Sequence, residues 1–168
     1  MASKLKRIII HWTAGYSYPN NIEAQRYHFL VDKDGKVYDG YHEPEDNIDC
    51  TDGDYAPHTG GGNTGSIGIS MCGMDKFDTI HKKTPHPITL EQMEATCKKC
   101  GELCIKYNIK PTANSILTHA MFGLLYPNTT SKGKIDICYL PPINVFGIEE
   151  CNEILKKKVI WYYNNLKK

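Results

Sequence analysis

The chain lacks any apolar run approaching the roughly 20 residues that a membrane-spanning helix needs. Its start, MASKLKRIIIHW, lacks a signal-peptide core, because Lys4, Lys6 and Arg7 are followed by only three isoleucines before His11. On this reading the product is made in the cytoplasm without a signal peptide, and a target outside the inner membrane is reached only after release by another agent. Net charge is also missing. Twenty Lys and Arg against nineteen Asp and Glu leave +1, which offers no basic field for nucleic acid. No internal repeat, low-complexity segment or interdomain linker breaks the chain. Residues 1–168 therefore read as a single domain, large enough to bury a core without staples. Seven cysteines, an odd number without a secretion signal, argue against a disulfide framework.

What is present reads as alternating strands and helices, an α/β layer domain. Residues 5–11 form a short β-branched run typical of a buried strand. Residues 27–32 and 36–39 flank Asp34-Gly35, predicting a hairpin with a two-residue turn, and 40–65 form a long loop. In 66–72 Ile67, Ile69 and Met71 alternate with small residues, a strand whose other face admits close approach. Thr89 with Gln92 predicts a capping box opening a helix to about Tyr107. Its stripe of Leu90, Met93, Cys97, Cys100, Cys104 and Tyr107 makes the cysteines core rather than a metal cluster. Ile116–His119 reads as a short strand and 120–147 as irregular. A last helix covers about Ile148–Leu166, with Ile148, Cys151, Leu155, Val159, Tyr162 and Leu166 on one stripe. The acidic stretch 43–54 reads as a solvated loop. The five lysines from Lys156 onward read as complements to a helix C-terminus.

Several residues could carry chemistry. His11 closes the first strand, His119 closes Ile116–Thr118, and Asp136 sits in Gly133-Lys134-Ile135-Asp136. Two histidines and a carboxylate match the ligand set of a catalytic zinc, which uses three protein ligands and keeps a position for water. These residues are far apart in sequence, and a lone strand-end His is commonly a satisfied structural residue, so both readings stand. Lys134, two residues from Asp136, faces the same way if the stretch is extended, where an ammonium could stabilise an oxyanion or merely form a surface pair. Tyr27 begins a strand whose alternation groups it with Phe29 and Val31, away from His28 and Leu30. His58 and Asn63 lie in a glycine-rich loop suited to lining a groove, with Asn63 able to hydrogen-bond a sugar or peptide. His42, His81 and His86 have no evident partner. The order of Asp49–Asp54 does not match a calcium loop.

Five stretches occur in a telling order: IIIHWTAG (8–15), YHFLVDKDGKVYDG (27–40), HTGGGNTGSIGISMCG (58–73), ILTHAMFG (116–123) and GKID (133–136). Over most of 8–136 the chain resembles the N-acetylmuramoyl-L-alanine amidases of the phage-lysozyme and peptidoglycan-recognition-protein superfamily. The Tyr-His-Phe hairpin with its Asp-Gly turn matches best, and the N-x-x-S-I-G-I strand next. The resemblance implies a central mixed β-sheet flanked by helices, with Zn2+ in a groove. It places His11, His119 and Asp136 on the ligand positions, Tyr27 and Lys134 on two catalytic helper positions, and His58 on a groove position. The implied reaction is hydrolysis of the bond between N-acetylmuramic acid and L-alanine. Peptidoglycan or a muropeptide is the implied partner, and a monomeric, phage-type endolysin the implied setting.

The resemblance leaves two alternatives: a peptidoglycan-binding module without catalysis, and a cytosolic amidase recycling soluble muropeptides. The chain also departs from the family's pattern. Sixteen positions separate His11 from Tyr27, which implies a trimmed helix, and Tyr126-Pro127-Asn128 lengthens the path to Asp136. Ile137-Cys138 replaces the usual Pro-Gly or Pro after the third ligand, making Cys138 a substitute ligand to consider.

Overall fold

The isoleucine run becomes the centre of the sheet. The computed structural model describes residues 4–168, so the first three residues of the domain expected over 1–168 lie outside the described residues. Strand β1 (Arg7–Trp12) is flanked by β4 (Ser66–Met71) and β5 (Ile116–Thr118), both parallel to it. Beyond β4 lies β2 (Phe29–Val31), again parallel, and β3 (Val37–Asp39) closes the edge antiparallel to β2. The order β3-β2-β4-β1-β5 is the expected mixed sheet. A strand paired on both edges and covered on both faces is apolar throughout, hence the unbroken Ile8–Ile10.

The two faces of this sheet do different things. Ile8, Ile10, Ile67, Ile69, Phe29 and Val31 turn to one side and pack on helices α2 (Leu90–Lys106) and α4 (Ile148–Leu166). Those helices answer with Met93, Cys97, Cys100, Cys104, Cys151, Leu155 and Val159. Burial pushes the Cys97 and Cys104 thiols up to about 12, so they stay neutral and act as small apolar groups. Only the stripe ends depart from expectation: Leu90 is 50% and Leu166 40% exposed. Thr89 and Gln92 form the predicted capping box. The Gln92 amide also donates to the carbonyls of Val31 and Cys72, both at 2.7 Å, pinning α2 to the ends of β2 and β4. The opposite face carries Ile9, His11, Leu30, Gly68, Ser70 and Leu117 in register. On it, Ile9 and Leu117 pack with Phe122 in a small separate cluster.

Local structure differs from the sequence reading in several places. The hairpin loop has three residues, because Asp32 N–H donates to the Lys36 carbonyl and Gly35 takes the left-handed conformation (φ +88°). Residues 120–147 are not irregular throughout. Thr118 caps helix α3 (His119–Leu125) by accepting the Met121 N–H, and β6 (Tyr139–Leu140) pairs with β7 (Val145–Phe146). The apolar, glycine-containing HAMFGLL hides helical periodicity. Helix α1 (Asn21–Arg26) is six residues long, and Tyr27 is its C-cap rather than a strand residue. The strand alternation therefore does not reach it.

The 40–65 segment is organised by one residue, Asn47, in the short 3-10 turn Pro44–Ile48. Fully buried, it donates to the carbonyls of Ala56 and Asn63 and accepts from Ala56 N–H and His28 Nε2. Replacing it leaves several buried polar groups unpaired, each costing about 1–3 kcal/mol. Asn47→Ala is expected to lower stability by on the order of 3 kcal/mol, read as a lower urea midpoint at unchanged m-value; a loss under about 1 kcal/mol contradicts this role.

Candidate metal centre

The side of the sheet without α2 and α4 holds the chemistry. His11 follows Ile9 onto it and is fully buried. His119 is the first residue of α3, and α4 steadies the strand before it, since Asn152 Oδ1 accepts the Thr118 N–H at 2.8 Å. Asp136 arrives on the loop after α3, where its carbonyl accepts the Ala120 N–H. Its buried carboxylate lies between the two rings, Oδ2 3.0 Å from His11 Nδ1 and Oδ1 3.2 Å from His119 Nδ1. One ligand-type atom from each residue lies within 4.8 Å of the others. Residues 108 and 17 positions apart are thus joined by tertiary structure alone.

Protonation limits what this trio can be. Ser131 Oγ donates its one proton to the Gly60 carbonyl (2.7 Å), so toward His119 Nε2 (3.0 Å) it accepts. His119 therefore carries its proton on Nε2 and turns a bare Nδ1 to the carboxylate, a tautomer assigned from these partners. Burial, opposed by the contact with Asp136, lowers the pKa of His11 to about 4, so its ring is neutral at pH 7. Burial pushes the Asp136 pKa up, but the two imidazoles outweigh it and hold the carboxyl below its ordinary value. A carboxylate facing a bare imidazole nitrogen is stable only with a cation or proton between them. This donor set fits a divalent metal.

His119 and Asp136 line a pocket of about 610 Å³, while His11 is fully buried. Tyr27, His58 and Lys134 line it as well. The Tyr27 ring lies 5.1 Å from that of His11, and burial, with Asp136 nearby, raises its pKa. His28 does not point away from this group: its ring is 5.6 Å from His58. It is a structural ring, held by Gly68 N–H on Nδ1 and Asn47 on Nε2. Arg26 and Lys76 stand at the rim. Ala14, Met74 and Lys76 line the pocket with positive φ, backbone strain of the kind functional sites hold.

Two expected residues are elsewhere. Asn63 does not reach the pocket; its side chain accepts the Thr59 N–H at 2.7 Å and closes the turn, a local use for a loop Asn. Cys138 lies in the apolar core, and Asp136, not Cys138, joins the histidines. The sequence reading missed Thr59 and Ser131, which contact His11 and His119. Only adjacency to His58 hinted at Thr59, and nothing marked Ser131. The remaining histidines have partners: His42 with Asp54 at 3.0 Å, His81 with Asp78 at 2.7 Å, and His86 with Ser17 at 3.2 Å.

The family profile described as N-acetylmuramoyl-L-alanine amidase matches residues 1–134. No curated protein matches the chain. Among solved structures, it is similar to peptidoglycan recognition proteins LCa and LCx bound to tracheal cytotoxin, at 24% identity over 69% of this chain and 70% of that one, with a TM-score of 0.47. It is similar also to drosophila peptidoglycan recognition protein SD, at 19% identity, 70% of each chain and TM-score 0.47. A third is the N-acetylmuramoyl-L-alanine amidase LysC of Clostridium intestinale, at 21% identity, 64% of this chain, 67% of that one and TM-score 0.44. The profile match spans His11, Tyr27, His58, His119 and Lys134 and stops two residues before Asp136. With most of its length matched, the chain belongs to the N-acetylmuramoyl-L-alanine amidase family.

Proposed function

We propose that this chain is a zinc hydrolase that cuts the amide between N-acetylmuramic acid and L-alanine in peptidoglycan, with His11, His119 and Asp136 holding the metal. The observation that carries the reading is the approach of two imidazole Nδ1 atoms to one buried carboxylate beside an open pocket. One ligand-type atom from each of the three residues lies within 4.8 Å of the others, and two imidazoles with a carboxylate are the donor set of a catalytic zinc. When bound, zinc supplies the Lewis acidity that activates water near neutral pH and polarises an amide carbonyl.

The chain's own residues do the rest. Tyr27, its pKa raised, keeps its proton at neutral pH and donates a hydrogen bond to the water or carbonyl oxygen. Lys134 brings an ammonium to the oxyanion that grows as the carbonyl is attacked. Arg26 and Lys76 give the rim a positive field suited to the carboxylates of a stem peptide. A binding module needs the pocket but not a ligand trio, which favours hydrolysis. We place the activity in a single, monomeric domain over 1–168 acting as a phage-type lytic enzyme. No helix among the described residues is long and apolar enough to cross a membrane.

Digestion of sacculi should release peptides starting at L-alanine and intact glycan, read by mass spectrometry; cleavage between sugars or within the stem contradicts the proposal. Chelator and Asp136→Ala should each abolish turbidity loss, with metal content of the variant falling in parallel. Equal or faster turnover of soluble muropeptides than of sacculi would favour the recycling setting. Lys134→Ala is expected to lower kcat about 10²–10³-fold at unchanged zinc content; a drop in bound zinc instead would make Lys134 structural. Metal-free stability should depend on pH. His11 and His28 have folded pKa values of about 4, mainly through burial, against 6.5 unfolded. Their neutral forms support the fold above pH 6.5, and that support is lost as pH falls toward 4, by about 3 kcal/mol for each. Urea unfolding at pH 7, 5.5 and 4 tests this, and a flat profile contradicts it.

A further inference from the structure

His58 is 6% exposed, and both of its ring nitrogens already have partners inside the protein. Nε2 lies 3.2 Å from the Ser66 carbonyl, which can only accept, so the His58 proton is on Nε2 and Nδ1 is an acceptor. Around Nδ1 stand the Thr59 hydroxyl at 2.7 Å and His11 Nε2 at 3.2 Å. Thr59 has one proton. Given to His58, it leaves the hydroxyl oxygen to accept from His11 Nε2, 3.3 Å away. With the Thr59 proton on His58, His11 Nε2 meets only acceptors and carries the proton; the competing arrangement, with Thr59 donating to His11 Nε2 and His11 Nδ1–H to Asp136, leaves His58 Nδ1 without a donor. No donor or acceptor on the His58 ring is left for a substrate.

We propose that His58 is a positioning residue: with Thr59 it fixes the His11 proton on Nε2, so that the bare Nδ1 faces the metal. This rests on the zinc reading above. The same loop serves the second histidine, because Gly60 supplies the carbonyl that orients Ser131 and, through it, His119. The tripeptide His58-Thr59-Gly60 thus sets both tautomers, each chain of hydrogen bonds ending on a backbone carbonyl that cannot reverse it. Two glycines permit this packing. A Cβ on Gly68 would lie 2.4 Å from Cγ of His58, and one on Gly60 would overlap the Thr130 hydroxyl. The His58 ring therefore lies against bare backbone of β4 and is held in one orientation. Partners of this kind around a metal-bound histidine commonly carry 10–100-fold in metal affinity.

The test measures zinc affinity by chelator competition, and the visible spectrum with Co2+, for the unaltered chain, His58→Phe, His58→Asn, Thr59→Val and His11→Ala. His58→Phe should weaken zinc about 10–100-fold and alter the cobalt spectrum. His58→Asn, whose amide oxygen replaces the Nδ1 acceptor, should recover most of the loss. Imidazole 15N spectra of the zinc-loaded chain should show the His11 proton on Nε2. A His58→Phe affinity within twofold of the unaltered chain, equal losses in Phe and Asn variants, or a proton on Nδ1 overturns the inference while leaving the zinc reading intact. Failure of the unaltered chain to bind zinc, or undiminished binding by His11→Ala, overturns both. Thermal unfolding of each metal-free variant checks folding. If His58→Phe does not fold, Thr59→Val, expected to weaken zinc severalfold, and the 15N spectrum decide.

Discussion

A buried carboxylate between two imidazoles is the constraint around which the rest of the molecule is arranged. Asp136 lies at 3.0 and 3.2 Å from the Nδ1 atoms of His11 and His119. Taking such groups out of water is costly unless each is matched. The fold therefore supplies partners at every outward position: Ser131 behind His119, and His58 and Thr59 behind His11. Their hydrogen bonds end on the Ser66 and Gly60 carbonyls.

The architecture makes room for this by treating the sheet asymmetrically. α2 and α4 cover one face with apolar side chains and buried thiols, and that packing supplies the larger core. The other face is left to His11, Gly68 and Ser70 in register, with only Ile9, Leu117 and Phe122 as a small apolar patch. A rigid sheet floor under loops is a general way to hold reactive groups precisely while leaving access for a large substrate. The loops are themselves tied down, 40–65 by Asn47 and 59–63 by the Asn63 side chain.

Legibility in the sequence followed the range of the forces involved. The helices α2 and α4 and strands β1 and β4 were readable because periodic burial writes itself into neighbouring residues. α4 spans Ile148–Leu166 as expected, and Thr89 with Gln92 forms the expected cap. α3 was not readable, since a short segment enclosed by apolar neighbours shows no amphipathic period. The hairpin is legible in the sequence but its loop length is not, because Gly35 serves a three-residue loop as readily as a two-residue one. The strand alternation fails at Tyr27 because that residue caps a helix.

The sequence alone determined the mixed α/β architecture, the motif order and the residue types that could form a metal site, since these rest on local periodicity and on side-chain chemistry. Tertiary structure alone decided that Asp136 rather than Cys138 meets the histidines, that Asn63 closes a turn away from the pocket, and that His58 spends both nitrogens inside the protein. The physical reason is distance along the chain: contacts spanning 125 residues leave no periodic trace, because they depend on where folded loops cross a sheet.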